Sequence, residues 1–157
     1  MTDILNKVSQ KLHENNLSLV SAESCTGGWV AKQITDLAGS SAIFDRGFVT
    51  YSNQAKQDML GVSINTLDKY GAVSEQVVIE MVAGALENSQ ADIALSISGV
   101  AGPGGGTEEK PVGMVCFGWM KRGKEAKAET IIFIGDRDEI RRQAVDFSLK
   151  GVISLAG

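Results

Sequence analysis

Leu17 to Leu37 reads LSLVSAESCTGGWVAKQITDL: a short apolar run, then small polar residues with two glycines, then apolar residues at helical spacing. LSLVSA has the composition of a strand, and helical spacing runs from about Cys25 to Leu37 before Gly39 stops it. Ala42 to Ser52, AIFDRGFVTYS, is rich in aromatic and β-branched residues and reads as the next strand. Strand, helix and strand in this order make a βαβ unit, which places parallel strands in a sheet with helices packed on it.

The flanks extend that pattern. Leu5, Val8 and Leu12 share one face of a helix spanning Thr2 to Glu14, which Asn15 and Asn16 end. Asn53 can cap a short helix carrying Lys56 and Met59, closed by Leu60-Gly61. Ser74 caps a helix with the apolar stripe Val78, Met81, Val82, Ala85 and Leu86. DIALSISG, Asp92 to Gly99, alternates strictly and leads into the loop VAGPGGGTEEKP. VGMVCFGWM and ETIIFIG read as a hairpin across KRGKEAK, and Asp136 or Asp138 starts a last helix with Ile140, Ala144, Phe147 and Gly151 on one face. The expected fold is a three-layer α/β/α sandwich around a mixed, partly parallel sheet with a late hairpin and a C-terminal helix. At 157 residues one domain spanning 1–157 is expected, because that length buries roughly two-thirds of its unfolded surface.

Composition narrows the function. The formal charge is −4 with no long basic tract, so nucleic acid is not expected as a partner. No run approaches the roughly 18 apolar residues of a membrane span, and the N-terminus has no signal-peptide core, so a cytoplasmic protein is expected. Cys25 and Cys116 form neither a CxxC pair nor a ligand cluster, so no metal, cofactor or disulfide framework is read. His13 is the single histidine and falls on a surface helix, which disfavours Ser-His-Asp and Cys25-His catalysis.

Three groups can carry chemistry. Ser24 stands where the first strand meets its helix; it is either an N-cap or a nucleophile before unpaired first-turn N–H groups of Cys25 and Thr26, with Gly27 and Gly28 admitting a ligand to the backbone. Lys56, in the first turn of its helix, is either a solvated lysine or, with its charge disfavoured by the helix dipole and burial, a neutral base for Ser24 with Tyr51 nearby. Ser98, at the carboxyl end of a strand before Gly102 and Gly104, is either part of a mobile turn or a hydroxyl facing a ligand. Arg137 and Arg141 sit four residues apart, where either reaches an anion, although a solvated face with acidic neighbours is the simpler reading.

Five stretches in order, AESCTGGWVA (Ala22–Ala31), GFVTYSNQAK (Gly47–Lys56), GAVSEQVV (Gly71–Val78), SISGVAGPGGGTEEKPVG (Ser96–Gly113) and GDRDEIRRQAV (Gly135–Val145), resemble the CinA C-terminal domain family, and within it the stand-alone nicotinamide-nucleotide amidohydrolases. The resemblance implies hydrolysis of nicotinamide mononucleotide to nicotinic acid mononucleotide and ammonia in bacterial pyridine-nucleotide recycling. It implies Ser24 as nucleophile, Lys56 as base, Tyr51 as proton-positioning partner and Ser98 as a hydroxyl near the reacting centre, where many relatives have threonine. Substrate contacts are expected from Cys25, Thr26, Gly27, Gly28, Gly102, Gly104 and Arg141. The further N-terminal domain of longer family members is not expected in this length. The alternative is a module of the same family that binds a nucleotide or a partner without chemistry; self-association is the other expected partnership.

Overall fold

The computed structural model describes residues 2–157. In chain order the elements are α1 (Thr2–Glu14), β1 (Leu19–Glu23), α2 (Trp29–Thr35), a 3₁₀ turn (Ser40–Ala42), β2 (Phe44–Val49), α3 (Asn53–Leu60), α4 (Ile64–Tyr70), α5 (Glu75–Glu87), β3 (Ile93–Gly99), β4 (Met114–Lys121), β5 (Lys127–Ile132) and α6 (Arg137–Ala156). The five strands form one mixed sheet in the order β2-β1-β3-β4-β5. β1 runs parallel to β2 and β3, whereas β3–β4 and β4–β5 pair antiparallel. The expected three layers, mixed sheet, hairpin and final helix are all present.

Strand alternation sends the two faces of the sheet into separate cores. Leu19, Ile93, Leu95, Ile97, Phe117 and Trp119 pack with residues of α1, α2 and α6, while Val20, Ala22, Ala94 and Cys116 pack with those of α3, α4 and α5. β3 is buried on both faces along Ile93–Ser98, as a central strand between two helical layers must be. Phe117 lies against Phe147 with centroids 4.7 Å apart and stacks on Trp119 at 5.8 Å; such pairs add about 1 kcal/mol each beyond burial.

The first layer boundary differs from the sequence expectation. α2 begins at Trp29, not near Cys25, because Gly27 (φ 60°) and Gly28 (φ 101°) adopt left-handed conformations that a right-handed helix does not include. Ser24 to Gly28 is therefore a turn, and Ser24 is not the cap of α2. At α3 the cap is Ser52, whose hydroxyl accepts from the Ala55 N–H at 3.0 Å, and Asn53 is the first helical residue. β2 ends at Val49, so Tyr51 lies two residues beyond the strand. α4 is an element the sequence pattern does not reveal: it is a seven-residue helix that buries only Leu67, too short for a periodic signal. Ser74 caps α5 as expected, and Asp136 with Glu139 forms a capping box on α6.

Gly84 of α5 lets the end of α3 approach closely, since a β-carbon there would lie 1.9 Å from the Leu60 carbonyl oxygen. That contact seats α3, the helix carrying Lys56, against α5. Gly84→Ala is expected to cost about 2 kcal/mol, read as a Tm roughly 6 °C lower by calorimetry. An unchanged Tm would show that α3 and α5 can separate freely.

Candidate active site

β1, β2 and β3 point their carboxyl ends the same way, and the chain leaves β1, the middle one of these three, toward β2 on one side while β3 lies on the other. This is a switch point, where open α/β sheets leave a crevice. Ser24 follows β1, Lys56 follows β2 and Ser98 is the penultimate residue of β3. All three line one cleft of about 350 Å³.

Lys56 is 1% exposed, an unusual position for a lysine. Its Nζ lies 3.1 Å from Ser24 Oγ and 3.1 Å from the Thr50 carbonyl oxygen. Burial is the main cause that lowers its pKa from the ordinary lysine range, and no carboxylate bonds to it to restore the charge. α3 positions the amine: Ser52 caps the helix, Gly61 closes it, and the Thr50 carbonyl holds Nζ above the end of β2.

Ser24 is 8% exposed and its N–H donates to the Ile97 carbonyl at 2.9 Å, which extends the β1–β3 ladder one residue past the strand. Cys25 beside it also borders the cleft, but burial pushes its thiol up to about 11, so at neutral pH it is a protonated, weakly nucleophilic group. Arg141 and the backbone of Cys25 and Gly99 act to lower the thiol's pKa, but burial outweighs them. The Ser98 side chain is 1% exposed and borders the same cleft.

The mouth is formed by Tyr51 and the glycine loop. Tyr51 is 63% exposed, and its hydroxyl accepts from Arg137 Nη2 at 3.2 Å rather than bonding to Lys56. Arg137 also donates through Nη1 to the Gly102 carbonyl at 2.7 Å, and Gly102 and Gly104 line the cleft. Lys110, further along the loop, donates to the Tyr70 carbonyl, so the loop is tied to α6 and to α4.

Thr26, Gly27, Gly28 and Arg141 lie elsewhere. They border a separate concavity of about 480 Å³, which Ser24 and Lys56 do not line. Thr26 is 1% exposed and its hydroxyl donates to Glu23 Oε1 at 2.7 Å. Arg141 donates through Nε to the Cys25 carbonyl at 2.9 Å and through Nη2 to the Thr26 carbonyl at 3.2 Å, with its guanidinium 5.5 Å from the Trp29 ring centre. The first-turn N–H groups of α2 are not open to an anion, because the buried Glu23 carboxylate accepts from Val30 N at 2.9 Å and Ala31 N at 3.2 Å. Sequence reading passes over Glu23; an acidic residue shortly before an N-terminal helical turn is the available signal. It also favours a solvated face for Arg137, which is the arginine that reaches the cleft.

The model of the CinA C-terminal domain matches residues 1–156. The chain belongs to this family. Over 144 residues it is 56% identical to the nicotinamide-nucleotide amidohydrolase PncC of Escherichia coli K12, covering 92% of this chain and 87% of that one. Over 131 residues it is 61% identical to the PncC protein of Enterobacter agglomerans, covering 82% and 79%. The crystal structure of the competence/damage inducible protein CihA from Agrobacterium tumefaciens superimposes with a TM-score of 0.94 at 43% identity, over 99% of this chain and 96% of that one. The CinA membership places the switch-point cleft in a fold shared along nearly the whole chain. No helix among the described residues is long and apolar enough to cross a membrane.

Proposed function

We propose that this protein is a nicotinamide-nucleotide amidohydrolase that converts nicotinamide mononucleotide to nicotinic acid mononucleotide and ammonia, with Ser24 as nucleophile and Lys56 as its base, within pyridine-nucleotide recycling. The observation that carries the mechanism is the buried contact of 3.1 Å between Lys56 Nζ and Ser24 Oγ. A neutral amine has two N–H bonds and one lone pair. One N–H can stay on the Thr50 carbonyl while the lone pair faces the serine hydroxyl, so the amine needs no change of position to become the acceptor.

Ser24 Oγ then attacks the carboxamide carbon as its proton passes to Lys56. The C–O bond forms, the carbonyl π pair moves to oxygen, and the oxyanion is assigned to backbone N–H groups of the turn after Ser24 and of the Ser98 loop, a class of contact whose loss costs about a hundred- to a thousandfold in rate. Collapse breaks the C–N bond, and protonated Lys56 returns its proton to the leaving nitrogen, which departs as ammonia. Water then attacks the acyl-serine ester, Lys56 takes a proton from it, and Ser24 leaves with that proton to release the acid. The Ser98 hydroxyl borders the same space and can bond the carboxamide.

The pyridine ring of a nicotinamide nucleotide is cationic, and the exposed face of Tyr51 at the mouth suits it. Arg137, already ordered by Tyr51 and Gly102, is the phosphate partner. Arg137→Ala is expected to raise KM for the mononucleotide about tenfold or more with kcat within about threefold of wild type; an unchanged KM would place the phosphate elsewhere. The direct test is ammonia release by the purified protein. Release in equal amount with nicotinic acid mononucleotide is expected, and binding of the nucleotide without turnover would instead favour a non-catalytic module.

A further inference from the structure

Glu23 is 1% exposed, and its three bonds come from neutral donors: Thr26 Oγ1 at 2.7 Å and Val30 N at 2.9 Å to Oε1, and Ala31 N at 3.2 Å to Oε2. Val30 and Ala31 are the second and third residues of α2, whose N–H groups have no partner within the helix. A carboxylate there is stabilised by those donors and by the positive end of the helix dipole. That much describes a cap contributed from a strand.

The Thr26 bond makes Glu23 more than a cap, since Thr26 belongs to the turn that carries Ser24 and not to α2. The same turn is gripped from the opposite chemical side, because Arg141 of α6 donates to the carbonyls of Cys25 and Thr26. Glu23 thus takes a donor of the turn while Arg141 supplies its acceptors with a partner. The backbone entering the turn is fixed as well: the Glu23 carbonyl accepts from Thr50 N at 2.8 Å, and Ser24 N donates to Ile97 O. Thr50 is the residue whose carbonyl holds Lys56. Ser24 sits in a turn after β1 and Lys56 on α3 after β2, so their separation of 3.1 Å depends on both segments being held, and displacement by about 1 Å can cost a hundredfold in rate.

We infer that Glu23 is a positioning residue for the amide hydrolysis, its carboxylate holding the Ser24–Gly28 turn so that Ser24 Oγ meets Lys56. The inference rests on the amidohydrolase reading with Ser24 as nucleophile. Glu23→Gln keeps the shape but turns one acceptor into a donor facing an N–H group. Its kcat on nicotinamide mononucleotide is expected to fall roughly ten- to a hundredfold, with KM within about threefold of wild type, measured at 25 °C. Thr26→Val, which keeps the bonds to α2 and removes only the hydroxyl, is expected to lower kcat about three- to tenfold and serves if Glu23→Gln does not fold. Capture of Ser24 by a fluorophosphonate, followed by mass spectrometry, provides a readout that needs no amide turnover, and its rate should fall in parallel. Wild-type kcat and capture rates in both variants, even with a lower Tm, would reduce Glu23 to a helix cap and overturn the inference. Wild-type protein that is captured at Ser24 but releases no ammonia would overturn the amidohydrolase reading, and the capture rates of the variants would still decide the role of Glu23.

Discussion

Ser24→Ala is expected to lower kcat for ammonia release by about four to six orders of magnitude while leaving the fold and nucleotide binding in place. The loss is large because nothing nearby can replace the hydroxyl. Cys25 is adjacent, but burial pushes its thiol up to about 11, so the nucleophilic thiolate is scarce at neutral pH. Ser98 lies on β3 and has no bond to Lys56, the base that would have to activate it. The fold is expected to survive because the backbone bonds of residue 24, from its N–H to Ile97 and to its carbonyl from Gly27, do not involve the side chain. Binding is expected to survive because Arg137 is held by Tyr51 and Gly102, on the other side of the mouth. Calorimetric titration of the variant with nicotinamide mononucleotide, beside an ammonia assay, separates the two quantities. Turnover within tenfold of wild type would remove Ser24 from the mechanism.

Features set by neighbouring residues are legible in the sequence, and those set by distant ones are not. The alternation in Asp92–Gly99 locates β3, and the aspartate and glutamate three residues apart at Asp136 and Glu139 locate the start of α6, because strand faces and capping boxes are local. The start of α2 is misplaced by sequence because the same glycines that suggest a close approach take φ values that exclude them from the helix. With Ser24 offered as either cap or nucleophile, Glu23, whose carboxylate accepts from the first-turn N–H groups of Val30 and Ala31, is passed over. The contact between Tyr51 and Arg137 is illegible for a different reason: the two residues are 86 positions apart, and only the folded sheet brings them together. Ser24 and Lys56 are 32 residues apart and are joined by family resemblance; the topology supplies the physical reason, since β1 and β2 are adjacent parallel strands whose following loops share one end of the sheet. Lys56 has no acidic residue three or four positions away on its helix, and a lysine so placed gives no local sign of being buried.

Lys56→Met should separate catalysis from stability in opposite directions. On the activity side, loss of the base is expected to lower kcat/KM about a thousandfold. Wild-type kcat/KM should rise with pH as Lys56 loses its proton, through a pKa below the ordinary lysine range, and the variant should show no such limb. On the stability side, the amine is buried and its pKa is lowered, so the unfolded chain binds the proton over a pH range where the folded protein does not. Stability of the wild type therefore rises with pH between the lowered folded value and the ordinary lysine value. Below that window the burial cost of the charge is fully present. Methionine has similar length and needs no hydrogen bonds, so the variant should be more stable by about 1 kcal/mol at neutral pH, roughly 3 °C in Tm, with the gain shrinking as pH climbs toward the lysine range. Denaturant melts across pH, paired with kcat/KM at each point, measure both. A variant that is less active and also less stable at every pH would mean that Lys56 is a structural tie to Thr50 and Ser24; the expected opposite signs mark a residue kept for its chemistry at the expense of the fold.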